Sequence, residues 1–153
     1  MNRKQVTIEA LMPIISEQLL DGKQPIIPIK GTSMRPFYLS GRTFVELAKP
    51  HDLKKKDAVL YLNNHGNYIL HRIIKIKEDT LVIRGDALKK KEYVKKENVI
   101  AKITRHQHNK AWVEETARTF RIKLTLWQLL SPVRRPLLKL ERRLRRRLYD
   151  QGT

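Results

Sequence analysis

Apolar positions change their period twice along the chain, and each change marks a change of structure. Ile8, Leu11, Met12, Ile15 and Leu19 recur at steps of three and four residues, with Thr7 before the run and Asp21-Gly22 after it, which predicts an amphipathic helix over 7–20. Pro13 falls inside that pattern, so the helix either kinks there or starts near Met12 with the proline in its first turn. From Gln24 the runs become short and β-rich: 26–29, 44–47, 58–62, 68–76 and 80–84, parted by polar turns at 40–42 and 63–67, with 99–103 expected as the last strand. After about residue 115 helical steps return at Leu124, Leu126, Trp127, Leu129 and Leu130. Beyond Ser131-Pro132, Val133, Leu137, Leu140, Leu144 and Leu148 again step by three or four. Arg134, Arg135, Lys139, Arg142, Arg143, Arg145, Arg146 and Arg147 lie between them, which is the pattern of a basic amphipathic helix.

These elements predict a mainly β fold, a coiled antiparallel sheet or small barrel, with a helix at the N-terminal end (1–22), a β domain over 23–115 and an appended basic segment over 116–153. With 41% apolar and 31% charged residues, six glycines and seven prolines, the chain is of folded, globular composition. The absence of cysteine removes disulfides, thiolate metal sites and thiol nucleophiles together, so covalent chemistry must use oxygen or nitrogen. Lys and Arg number 33 against 15 Asp and Glu, a formal charge of +18 that draws the chain towards anionic surfaces. No stretch approaches the ~20 apolar residues of a membrane span, and the opening residues lead into no apolar signal core, so a cytoplasmic location is expected. The lysine runs at 54–56, 89–91 and 95–96 fall in turns and read as solvated surface.

The chemistry lies in three short boxes. Ser33-Met34-Arg35-Pro36 follows a predicted strand, Leu70-His71-Arg72-Ile73 lies on another, and Arg84-Gly85-Asp86 ends a third, with Glu92 six residues beyond Asp86. In this order and spacing the chain resembles the S24/S26 serine peptidases, above all type I signal peptidases whose base is a histidine, and the likeness covers about 26–103. It implies a signal-peptidase type of β fold, Ser33 as nucleophile, His71 as general base, Asp86 as first choice and Glu92 as second for the acid that orients the imidazole, and no cofactor or metal. Thr32, Met34 and Pro36 would support the nucleophile and oxyanion hole. Gly31 stands where some relatives carry a serine donor, which leaves the hole to the Ser33 N–H and Thr32. The chain also departs from signal peptidases in having a polar-faced helix where they carry a membrane anchor.

The residues bear this chemistry on their own terms. A serine hydroxyl needs a neighbouring base, and a neutral imidazole with an ordinary pKa of ~6.5 can serve near neutral pH. A carboxylate on the second ring nitrogen would fix the tautomer and stabilise the imidazolium. Lys75 is the alternative base, four residues along the same strand face, and at ~3.3 Å per residue it cannot share one serine with His71. His106-Gln107-His108 has no acid or cysteine nearby in sequence to complete a metal site and is expected in a surface loop.

The resemblance implies a serine endopeptidase that removes a leader or signal-type segment from a precursor peptide, with small apolar residues before the cut and the substrate extended along a strand edge. The alternatives are a catalytically inactive peptide-binding scaffold and a nucleic-acid module. The leucine stripe among the arginines and the lack of a helix-turn-helix signature weigh against nucleic acid. The tail, with Arg134, Arg135, Arg142, Arg143 and Arg146 on its basic face, is expected either to lie on the inner face of an anionic membrane or to dock on protein with its leucines buried. Activity on a short soluble peptide is expected to survive deletion of 132–153.

Overall fold

The structure is a computed structural model that describes residues 7–150, with the side chains of His108, Ser131, Arg134, Arg135 and residues 145–150 outside the description. Helix α1, Ile8–Leu20, is capped by Thr7 Oγ1, which accepts from the Ala10 N–H, and buries Met12, Ile15 and Leu19. It runs through Pro13, which sits on the exposed side, where the carbonyl freed by the missing N–H can meet water.

Eight strands follow: β1 (Ile26–Pro28), β2 (Phe44–Ala48), β3 (Ala58–Leu62), β4 (Tyr68–Lys77), β5 (Thr80–Arg84), β6 (Glu92–Lys95), β7 (Val99–His108) and β8 (Ala111–Glu114). They form one curled antiparallel sheet, a half-barrel in the order β1-β2-β7-β3-β4-β5-β6, with β8 paired to β7. The mainly β expectation is met, at 34% strand against 29% helix. Two strands were not foreseen, β6 and β8, and β7 runs on from Ile103 to His108. Residues 104–108 lack apolar alternation because β7 here pairs with β2, Val45 opposite His106, and the inward side chain of His106 meets a carboxylate rather than a hydrocarbon.

The tight turn at 63–67 sets the register of the β3–β4 hairpin. Asn63 Oδ1 accepts from the His65 and Asn67 N–H groups, Gly66 takes a φ of 78°, and Leu62 then pairs with Tyr68 and Val59 with His71. Arg72 pairs with Arg84, so the next step of that register brings Gly85 opposite His71. Two apolar clusters flank the sheet. One joins α1 to β1, β2, β3 and β7 through Ile15, Ile27, Val45, Leu47 and Ile103, and the other holds Tyr61, Ile73, Leu81 and Ile83.

Helix α2, Arg118–Leu129, buries Phe120 and Leu124, and α3, Arg134–Asp150, follows a short turn at Ser131–Val133. Helix α2, in the segment expected as an appendage, thus packs against the β unit. Arg121 donates to the Glu115 and Lys55 carbonyls and to Asp57, and the Phe120 ring lies 4.7 Å from that of His106.

Candidate active site

Ser33 sits in the turn that leaves β1, half-buried, and Met34 and Phe37 anchor the loop that follows it. Met34 is buried in the α1 cluster, while the Phe37 ring meets Phe120 and Trp127 edge-on at 5.5 and 6.3 Å. The loop contains a cis peptide before Pro36, and the Arg35 N–H donates to the Thr32 carbonyl at 3.3 Å. Thr32 itself is exposed. The Ser33 carbonyl accepts from the Ala87 N–H at 2.8 Å, which ties the serine turn to the end of β5. Among the described residues neither Ser33 Oγ nor its N–H has a hydrogen-bond partner.

Gly85 is where two of the three boxes meet the third. A Cβ on it would stand 2.7 Å from the Ser33 carbonyl oxygen and 3.0 Å from His71 Nε2, closer than side chains tolerate. The serine turn and the imidazole therefore face one small space over the glycine, which only a residue without a side chain leaves open.

His71 is 5% exposed. Its Nδ1 lies 3.2 Å from Tyr61 Oη, and Tyr61 donates onward to Glu92 Oε2 at 3.0 Å, while Glu92 Oε1 stands 3.8 Å from Nδ1. This chain of bonds is coherent when Nδ1 carries the proton and Nε2 is a free acceptor turned to the serine turn. Burial lowers the imidazole pKa from its ordinary value, and the Glu92 charge opposes part of that fall. The net effect favours the neutral ring, in which Nε2 can accept a proton. Burial, with the Glu92 contact, pushes the Tyr61 phenol far above its ordinary range, so Tyr61 stays a donor. Lys75, the alternative base, is exposed beyond a β-bulge and lies outside this space.

Asp86 takes a different part from the one expected. Its two carboxylate oxygens each accept from Arg72 Nε at 3.0 Å, and Arg72 Nη2 approaches Oδ2 at 3.0 Å as an ion pair without hydrogen-bond geometry. The carboxylate near His71 Nδ1 is that of Glu92, with Oε1 at 3.8 Å, so the geometry favours Glu92, the second choice, over Asp86. The reason is the pleat: His71 and Arg72 are consecutive on β4 and point to opposite faces, and Asp86 follows the second.

Behind Arg72 lies a buried polar network that the sequence did not reveal. Arg72, fully buried, donates through Nη1 to Glu115 Oε2 and to the Lys56 carbonyl, and stacks near the Tyr38 and Phe120 rings. Glu115 also accepts from Tyr38 Oη at 2.6 Å and pairs with His106 Nδ1 at 2.7 Å. Burial alone would raise the Glu115 pKa, but Arg72, His106 and Tyr38 together hold it below the usual carboxylate value. His106 is therefore a buried strand residue, which corrects the expected surface loop. Among the described residues no cluster of histidines and acids could hold a metal ion.

Trp127 Nε1 donates to the Asp86 carbonyl at 2.7 Å, and Arg35 pairs with Glu141 at 2.8 Å, so both C-terminal helices touch the boxes. Arg142 and Arg143 are exposed, and the side chains of Arg134, Arg135 and Arg146 lie outside the described residues. A groove of about 390 Å³ opens between α1 and the sheet, lined by Ile8, Leu11, Ile27, Ile29, Tyr68 and Leu70 among others. The chain matches no protein-family model and no curated protein sequence.

Proposed function

We propose that the protein is a serine endopeptidase of the signal-peptidase type, on a β fold of that type, which cuts a leader or signal-type segment from a precursor peptide without a cofactor. The observation that carries this reading is the convergence over Gly85 of the Ser33 turn and the free Nε2 of a buried, neutral histidine whose Nδ1 is held by Tyr61 and Glu92. In the proposed reaction His71 Nε2 takes the Ser33 hydroxyl proton as Oγ attacks the scissile carbonyl, then returns it to the leaving amine. The imidazolium formed in between is stabilised by Glu92, directly and through Tyr61. The uncommitted Ser33 N–H is the first oxyanion donor, with Thr32 beside it.

The substrate's path is suggested by β1. Among the described residues it ends the sheet and pairs on one side only, with β2. The Ile29 N–H donates to the Thr43 carbonyl, so by alternation Ile26 turns its N–H and C=O, and Pro28 its C=O alone, away from β2 to the free edge. An extended peptide added there would run towards Ser33 beside an apolar groove suited to small hydrophobic side chains.

The test is cleavage of precursor peptides with small apolar residues before the cut, read by mass spectrometry, together with acylation of Ser33 by an active-site-directed probe. Wild-type protein should cleave and be acylated, and Ser33→Ala and His71→Ala should do neither while remaining folded. Full cleavage by purified Ser33→Ala would end the reading. A peptide bound but never cut, with no acylation of Ser33, would favour a peptide-holding scaffold.

A further inference from the structure

The C-terminal helices meet the body by one face and leave their leucines in water. Helix α3 is tied to the body through Glu141, whose carboxylate pairs with Arg35, and Leu138 is half-buried. Leu137, Leu140 and Leu144, the stripe that a docked amphipathic helix would bury, are instead 37%, 52% and 51% exposed. In α2, Phe120 and Leu124 turn inward while Leu126 and Leu129 are 56% and 72% exposed. Apolar side chains repeated on this scale at a helical period mark a contact surface rather than a solvated one.

We propose that this face docks on an anionic phospholipid bilayer, with α3 lying in the plane of the interface. Eight Lys and Arg residues stand between 134 and 147, and the one acid among them, Glu141, is already paired with Arg35. That charge selects the occupant. A second copy of the chain would bring a like set of cations against these eight, which repel at short range. A nucleic acid would take the arginines and leave the leucines in water. An anionic bilayer accepts both at once, leucines below the headgroups and arginines among the phosphates, with lipids free to gather around a convex helix. No described helix is long and apolar enough to cross a membrane, so the helix lies on the bilayer and does not span it. The proposal does not depend on the peptidase chemistry, and its test does not read activity.

Full-length protein is mixed with vesicles of phosphatidylcholine alone or with added phosphatidylglycerol, and the bound fraction is measured by flotation. Binding is expected on the anionic vesicles, with at least a tenfold weaker association, roughly, on the neutral ones. Leu140→Ser/Leu144→Ser should lose a comparable factor, and because both side chains are exposed its melting temperature should match wild type. Arg142→Gln/Arg143→Gln should weaken anionic binding alone. Equal flotation on neutral vesicles, or flotation untouched by the leucine variant, overturns the proposal. So does a dimer in sedimentation that the leucine variant dissolves, or binding of duplex DNA by a protein that leaves vesicles alone.

Discussion

Arg35 Nη2 lies 2.8 Å from Glu141 Oε2, so the residue two positions after Ser33 is ion-paired to the last helix. Both side chains are largely covered, and the Trp127 bond to the Asp86 carbonyl makes a second link from the C-terminal helices to the boxes. The expectation that activity on a short soluble peptide survives deletion of 132–153 rests on Ser33, His71 and Asp86 lying in the β unit, as they do. The two links give the C-terminal helices a way to act on the position of these residues.

Deletion of 132–153 should therefore lower kcat/KM on a short soluble peptide. A charge-assisted bond of about 1 kcal/mol, expressed wholly in the position of the serine turn, corresponds to roughly fivefold in rate. Glu141→Gln should show a loss of that order, and Arg142→Gln, at an exposed position, none. Steady-state kinetics of the three proteins decide it, and an undiminished truncated enzyme would mean that the pair does not position Ser33.

Asp86→Asn and Glu92→Gln should fail in different ways. Removing the Asp86 charge leaves the fully buried Arg72 with Glu115 as its remaining ion-pair partner, at a cost of about 3 kcal/mol in stability by analogy with other broken buried pairs. Glu92 is partly exposed, so its loss should scarcely change the melting temperature while lowering kcat by about 10²-fold or more, as an orienting acid does. Thermal melts beside kinetics separate the two. A larger kcat loss in folded Asp86→Asn would return the orienting role to Asp86.

The pH profile should follow the same pair. Burial disfavours the imidazolium of His71, so its pKa lies below the ordinary value and the acid limb of kcat/KM should fall below ~6.5. Glu92 raises that pKa, so Glu92→Gln should move the limb to still lower pH even as the maximum rate drops. A limb well above about 8 would belong to a lysine base instead, with Lys75 the candidate.

Gly85→Ala tests the meeting point itself. The added methyl would stand 2.7 Å from the Ser33 carbonyl, a backbone atom held by the Ala87 N–H, and 3.0 Å from His71 Nε2. Neither neighbour can swing aside as a flexible side chain would. Activity should be lost and the melting temperature lowered, whereas Gly66→Ala, in the distant hairpin turn, should affect stability only.

Much of this site could be read in advance, and what could not has a physical cause. Helical periodicity located α1, and short apolar runs between polar turns located six of the strands, several of them, such as β3 and β5, buried over consecutive residues rather than alternating. The hairpin at 63–67 also contained the place of Tyr61: once Leu62 opposes Tyr68, Val59 opposes His71 and Tyr61 is its diagonal neighbour on the same face. The sequence pattern alone marks Tyr61 only as a strand residue. The choice between Asp86 and Glu92 was not legible, since it turns on which of two consecutive β4 residues faces which layer. His106 was missed because a buried histidine paired with Glu115 leaves no apolar signature. For α3 the leucine period located the helix correctly, yet the docked face is the one carrying Leu138 and Glu141, which depends on the position of Arg35 in a loop far away in sequence.

Tyr61 supplies the sharpest test of how the base is held. Its hydroxyl is the hinge between two bonds, accepting from His71 Nδ1 at 3.2 Å and donating to Glu92 Oε2 at 3.0 Å. Tyr61→Phe keeps the ring that packs in the second apolar cluster and removes only that hinge, so the fold should persist with a loss of about 1 kcal/mol for the missing bonds. The carboxylate at 3.8 Å from Nδ1 would remain as a charge but no longer as part of a bonded chain. If Glu92 acts on His71 chiefly through the tyrosine, the kcat losses of Tyr61→Phe and Glu92→Gln should be strongly non-additive, the double variant being little slower than Glu92→Gln alone. If Glu92 acts directly through its charge, the two losses should multiply. The acid limb gives an independent reading, because Tyr61→Phe leaves the Glu92 charge in place and should shift the limb less than Glu92→Gln does. An unchanged kcat and an unmoved limb in folded Tyr61→Phe would show that the tyrosine packs beside the histidine without orienting it.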